Sequence, residues 1–152
     1  MNNQDQKVIN HLKANIINAV HLAKSGHPGG ALSSLEFAYL LFSEFLIFDP
    51  KDPNWQGRDR FVLSAGHESM LLYSILRGLG WLDEKDLKGF RQLNSKTPGH
   101  PENHLTPGVE CTTGPLGQGA AMSVGFALAS SHLSAKLESN LYNNRTWALL
   151  GD

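Results

Sequence analysis

Apolar residues recur near the helical period at the start of the chain. Val8, Leu12, Ile16, Ala19 and Ala23 share one side of a helix predicted over residues 4–24. Ser25-Gly26 ends it, and Pro28 with Gly29-Gly30 favours irregular backbone. Ser33 followed by Glu36 reads as a capping box that opens a second helix to about Leu46, apolar at Leu35, Phe37, Leu40, Leu41 and Phe45. After the loop "DPKDPNWQG", the run "RFVLS" at 60–64 reads as a buried strand. A helix from about His67 to Leu79 follows, closed by Gly78 and Gly80, and then a short helix over 83–93 with Asp83 as its N-cap. Residues 94–116 show no period and hold four prolines, so they form a long loop of the kind that is functional or disordered. The pattern returns over 117–137 as a long helix carrying Gly119, Ala120, Ala121, Gly125, Ala127 and Ala129, small residues that permit close packing on a neighbour. "TWALLGD" closes the chain as an apolar strand with an acid at its tip.

Two strands separated by helices imply a parallel sheet, since a parallel pair needs a crossover. Two strands are too few for such a sheet, which must be covered on both faces. The pattern therefore predicts the front part of a larger α/β domain, with the next strand-to-helix loop beginning at Asp152. Composition narrows the function. Of 152 residues, 41% are hydrophobic and 18% charged, with a formal net charge of −1, which suits a globular domain and offers no basic field for nucleic acid or a membrane surface. Cys111 is the single cysteine, so no internal disulfide can form, and a reducing cytosol is the expected setting. The start, "MNNQDQKVIN", lacks the basic and apolar regions of a signal peptide. No apolar run reaches membrane-spanning length.

Candidate chemistry lies in four loops: "SGHPGG", "SAGHES", "TPGHPE" and "CTTGPLGQGA". In open parallel sheets ligands sit beyond the carboxyl ends of the strands. His67 follows one strand and Asp152 the other. The glycine loop opens a helix, where backbone N–H groups and the dipole favour an anion. Such donors, imidazoles and one carboxylate suit a phosphorylated ligand held partly through Mg²⁺. Plainer readings stand beside these. A glycine loop also makes a tight turn. Gly114, Gly117 and Gly119 spell neither G-x-G-x-x-G nor a P-loop. His11, His21, His104 and His132 read as solvated or structural, His27, His67 and His100 are open either way, Asp152 could cap a following helix, and Cys111 reads as inert.

"SGHPGG" at 25–30, "RDRFVLSAGHESMLLYSIL" at 58–76, "FRQLNSKTPGHPE" at 90–102, "TPGVECTTGPLGQG" at 106–119 and "LLGD" at 149–152 follow in an order and spacing that resemble the amino-terminal segment of transketolases. The resemblance runs from about Asn15 to Asp152. It implies that residues 1–152 are the amino-terminal part of a thiamine-diphosphate-binding domain: an incomplete three-layer α/β unit, helices around a parallel sheet, cut after its second strand. It implies transfer of a two-carbon ketol unit from a ketose phosphate to an aldose phosphate in the pentose phosphate pathway, by a cytoplasmic homodimer using thiamine diphosphate and Mg²⁺ or Ca²⁺. By the same resemblance His27 and His100 are catalytic and touch substrate hydroxyls. His67, Gly114, Pro115, Leu116, Gly151 and Asp152 meet the cofactor, and Asp152 is a metal ligand. The sequence departs from the family pattern where the thiamine motif should continue past Asp152, so the chain by itself is expected to be inactive. The alternative is a non-catalytic truncated fragment or one piece of a split thiamine-diphosphate enzyme.

Overall fold

The computed structural model describes residues 2–151. Helix α1 spans Asn3–Ala23. The Asn2 side chain accepts from the Gln4 and Asp5 amides while Asp5 returns a bond to the Asn2 amide, which satisfies donors that a helix start leaves free. Its buried stripe is Ile9, Leu12, Ile16 and Ala19; Val8 and Ala23 sit at the stripe's margin. His11 and His21 lie on the exposed side.

The second helical region differs from the expected single helix. Pro28 starts α2 (Pro28–Ser33), because a proline at the first helical position forfeits no intrahelical bond. A kink at Ser34 begins α3 (Leu35–Leu40), which runs into a wide π turn over Leu41–Phe45 closed by the Leu46 amide on the Leu41 carbonyl. The Ser33–Glu36 capping box does not form. Ser33 Oγ donates backward to the Gly30 carbonyl, and Glu36 pairs with Lys13 on α1.

Strand β1 is Arg60–Leu63 and β2 is Thr146–Leu149; they pair in parallel, with Phe61 opposite Trp147 and Leu63 opposite Leu149. Side chains alternate across a strand. Phe61, Leu63, Trp147 and Leu149 therefore meet one core, shared with α1, α3 and α4 (Ser69–Gly78), while Val62 faces the opposite side. Both strands contact α6 (Gln118–Leu137). Asp59, just before β1, accepts from the Arg145 amide at 2.7 Å and the Trp147 indole at 3.1 Å, so one buried carboxylate sets where β2 begins.

Helix α5 is shorter than the pattern suggested, Glu84–Lys88, with Asp83 capping it and Gly89 ending it. The segment 94–116 is an ordered loop. Its buried Thr97, Thr106 and Thr113 hydroxyls donate to the Asp86, Lys96 and Leu63 carbonyls. Glu110 binds Arg58 through two bonds of 2.8 and 2.9 Å and reaches Arg60 at 3.3 Å, which ties the loop to β1.

The small residues of α6 do not all serve packing. Only Gly119 is buried, while Val124, Leu128 and Leu137 are more than half exposed. At Gly119 an added Cβ would lie 2.5 Å from Ser64 Cα; at Gly125 it would meet nothing within 4 Å. The two glycines should respond in opposite ways. Gly125→Ala should stabilise by about 1 kcal/mol, the helix-propensity difference. Gly119→Ala should destabilise by about 2 kcal/mol, because backbone must move. Urea midpoints of the two variants test this, and shifts of the same sign would mean that Gly119 is an ordinary helical glycine.

Candidate functional site

The carboxyl end of β1 gathers the loops. The Ser64 and Ala65 amides both donate to the Leu149 carbonyl, which joins this end to that of β2. A turn of 3₁₀ helix over Gly66–Glu68 then presents His67. Gly151 lies alongside, its missing Cβ 3.9 Å from Ala65 Cβ. The proposed metal ligand Asp152 lies outside the described residues.

The "TTGPLGQG" loop is fixed on this edge by contacts that only bare backbone allows. Thr113 Oγ1 donates to the Leu63 carbonyl at 2.7 Å. A Cβ on Gly66 would come within 2.8 Å of Gly114 N and Thr113 Oγ1. Gly117 has a φ of +84°, a left-handed conformation that favours glycine and turns the chain into α6. Ser64 Oγ accepts from the Ala120 amide at 3.0 Å, so one donor of the helix start already has a partner within the protein. Pro115 and Leu116 project outward, and Leu116 is 70% exposed.

The three glycine-flanked histidines meet here. His27 and His67 stand edge to face with ring centroids 5.4 Å apart. The His100 ring lies on Gly114, with Cγ and Cδ2 3.5 Å from where a Cβ would be. Helix α4 sets His100: Ser69 Oγ donates to the Gly99 carbonyl, and Tyr73 OH, one turn on, donates to the Pro98 carbonyl at 2.9 Å and the His100 carbonyl at 3.3 Å. His100 is held below the ordinary imidazole pKa, first by desolvation of the ring and then by the positive charge of Arg91, with smaller contributions from His27 and His67. Burial pushes the Tyr73 phenol up, so it stays a donor.

Four loops therefore form one site, rimmed by an open groove of about 580 Å³ that Ser25, Arg91, Gly99 and His100 line. Among the described residues no cluster of three His, Cys, Asp or Glu is placed to hold a metal ion. His11, His21 and His132 are exposed on helices, and His104 is an exposed loop residue 3.4 Å from Glu102. Cys111 is half-buried, and burial with the neighbouring Glu110 raises its thiol pKa, in keeping with an inert thiol. Sequence reasoning missed Arg91 and Glu68. Arg91 reaches His27 and Ser25 from more than sixty residues away. Glu68 is buried against Gly30, with one carboxylate oxygen unpartnered among the described residues. Neither has a local pattern that marks it.

Residues 4–152 match the family model described as transketolase, thiamine diphosphate binding domain. The chain is 51% identical to transketolase-1, chloroplastic, of Arabidopsis thaliana, covering 96% of this chain and 20% of that protein. It is 51% identical to the transketolase of Geobacillus stearothermophilus, covering 97% of this chain and 23% of the other. Among solved structures, transketolase from Campylobacter jejuni superposes with a TM-score of 0.92 at 47% identity, over all of this chain and 24% of its own. Transketolase from Pichia stipitis in complex with sedoheptulose-7-phosphate gives 0.88 at 47% identity, over 97% of this chain and 22% of its own. The chain thus spans less than a quarter of each relative's length. It belongs to the transketolase family, as an amino-terminal segment of the thiamine diphosphate binding domain.

Proposed function

We propose that residues 1–152 supply one wall of a ketol-transferring active site that moves a two-carbon unit from a ketose phosphate to an aldose phosphate, as in the pentose phosphate pathway. The observation that carries this reading is the convergence of His27, His67 and His100, the last lying against Gly114, at the carboxyl end of a parallel sheet.

The residues fit thiamine diphosphate at this edge. Gly114 offers bare backbone beside an imidazole, and the loop leads into the amino end of a 20-residue helix, where anions are favoured. His67, Gly114, Pro115, Leu116 and Gly151 would hold the cofactor, and Asp152 would ligate Mg²⁺ or Ca²⁺. When bound, the cofactor supplies the electron sink for breaking the carbon–carbon bond. This chain's own residues act on the substrate from one side. His100, kept neutral, binds a donor hydroxyl. His27 binds hydroxyls and moves a proton near the reacting carbon. Neutral donors at this edge suit sugar hydroxyls, and no helix among the described residues is long and apolar enough to cross a membrane. The remaining transketolase chain and a second subunit complete the site in this reading.

Three outcomes test it. The 152-residue chain alone, with xylulose 5-phosphate, ribose 5-phosphate, thiamine diphosphate and Mg²⁺, should show no turnover; activity surviving removal of host transketolase would refute that. In the complete transketolase carrying this segment, His27→Ala should lower kcat roughly 10²-fold, the usual worth of a positioned proton carrier. His100→Ala should lower donor kcat/KM by about tenfold, roughly one lost hydrogen bond. His104→Ala should change neither. Equal, small effects at all three positions would make the glycine-flanked histidines ordinary loop residues.

The third outcome concerns protonation. A depressed folded pKa favours the neutral ring, so His100 contributes stability that is fully present above its ordinary value of 6.5 and is lost as pH falls through the folded value. Histidine NMR titration of the chain should place His100 below the ordinary imidazole value of 6.5. A His100 that titrates at or above that value would remove the basis for a neutral ring.

A further inference from the structure

Arg91 sits between two of the site's loops, and the reading above uses only its charge beside His100. Its Nη1 donates to Ser25 Oγ at 2.9 Å, and its Nη2 lies 3.3 Å from His27 Nδ1. A guanidinium carries only donors and stays protonated. At that contact His27 Nδ1 must therefore present its lone pair, which leaves the ring proton on Nε2, on the far side of the ring from Arg91.

The arginine is itself held from several directions. Its backbone has a φ of +60°, uncommon for a residue with a Cβ, and its amide donates to the Thr97 carbonyl at 3.0 Å. Its Cζ lies 5.5 Å from the Phe90 ring centroid. Its guanidinium lies along Gly99, where an added Cβ would come within 3.2 Å of Nε and 3.3 Å of Cζ. Phe90 in turn stacks edge to face on Tyr73, the residue that holds His100. The charged and titratable groups around His27 are Arg91, His67 and His100, with Glu68 below α2 at Gly30.

We propose that Arg91 is a positioning residue for His27: it fixes the neutral Nε2–H tautomer and turns that N–H toward the space shared with His67 and His100, where it donates to a substrate oxygen. The substrate contact rests on the function proposed above, whereas the tautomer does not. A lysine cannot replace the planar fork that serves Ser25 and His27 together. A methionine keeps the stem against Phe90 but offers no donor.

The test has two arms. The first uses the full 152-residue chain labelled with ¹⁵N-histidine and read by long-range ¹H–¹⁵N correlation, without cofactor. Wild-type His27 should show an unprotonated Nδ1 and a protonated Nε2. In Arg91→Met both tautomers should be populated at His27, while the exposed His104 keeps its signals. A wild-type His27 protonated on Nδ1 would overturn the proposal before any variant is made, and so would unchanged His27 signals in a folded Arg91→Met chain. The second arm uses the complete transketolase carrying this segment. Arg91→Met should lower kcat about 10- to 100-fold with donor KM within about threefold, the pattern of a misplaced reacting group. Arg91→Lys should recover only part of the loss. A raised KM at unchanged kcat would make Arg91 a ground-state binding residue and overturn the proposal. A wild-type enzyme without ketol transfer would refute the proposed function and leave the tautomer result to stand on its own.

Discussion

The site depends on how closely three backbone segments approach at the carboxyl end of β1. Gly66 faces Gly114, Gly119 faces Ser64, and Thr113 spans the gap with a hydroxyl bond to the Leu63 carbonyl. A methyl group at either Gly66 or Gly119 would fall inside van der Waals contact with main-chain atoms. Because the gap is closed, the glycine loop lies on the strand and does not arch over it. That brings Gly114 to His100 and sets both loops beside His67. Within the glycine loop Gly119 serves close approach of the protein to itself, as Gly66 does on the strand side. At Gly117 an added Cβ would meet nothing within 4 Å, and at Gly114 only the His100 side chain.

Rigid elements transmit this arrangement to the loops. Ser69 and Tyr73, one turn apart on α4, hold three successive carbonyls of the "PGH" loop, so the pose of His100 is set by a buried helix. The two bonds from Glu110 to Arg58 anchor the far end of the same long segment. Charge-assisted pairs of this geometry are the stronger kind, and the half-buried setting limits screening. A loop of more than twenty residues is ordered because its threonines find carbonyls and its glutamate finds two arginines.

Much of this was legible from residues alone, for identifiable reasons. The stripe Leu12, Ile16 and Ala19 buries one face of α1, and the short run "RFVL" is buried on both faces of its strand, so pattern and burial agree. Asp83 reads as a cap because a carboxylate three residues before another acid at a helix start has few other uses there. The Ser33–Glu36 pattern misled because it is equally a motif of a helix already begun: Pro28 had supplied the start, and Glu36 found Lys13 on another helix. The meeting of the histidines followed from the sheet rule, yet Arg91 did not. Its partners Ser25 and His27 follow α1, and they come near Arg91 through the packing of α1 on α5 and of Gly26 on Phe90.

The apolar surface that remains has the same physical logic. A helix as uniformly apolar as α6 is ordinarily enclosed, since no polar face turns it toward water. Here α6 covers the Val62 side of two strands with Gly119 and its neighbours, while Val124, Leu128 and Leu137 face away. Phe37, Phe45 and Ile47, along α3 and just beyond its π turn, form a second exposed apolar edge. Two parallel strands cannot bury both surfaces, because each added strand of such a sheet would bring its own crossover to cover the next helix face. The same surplus appears in the chemistry. The imidazoles and the glycine loop line one side of the candidate site, and the described residues bring no second wall opposite them. A site of this kind works only when water is excluded and the reacting atoms are held from both sides. The uncovered hydrophobic faces and the one-sided candidate site therefore express one condition: the interactions that would complete the core are the interactions that would close the site.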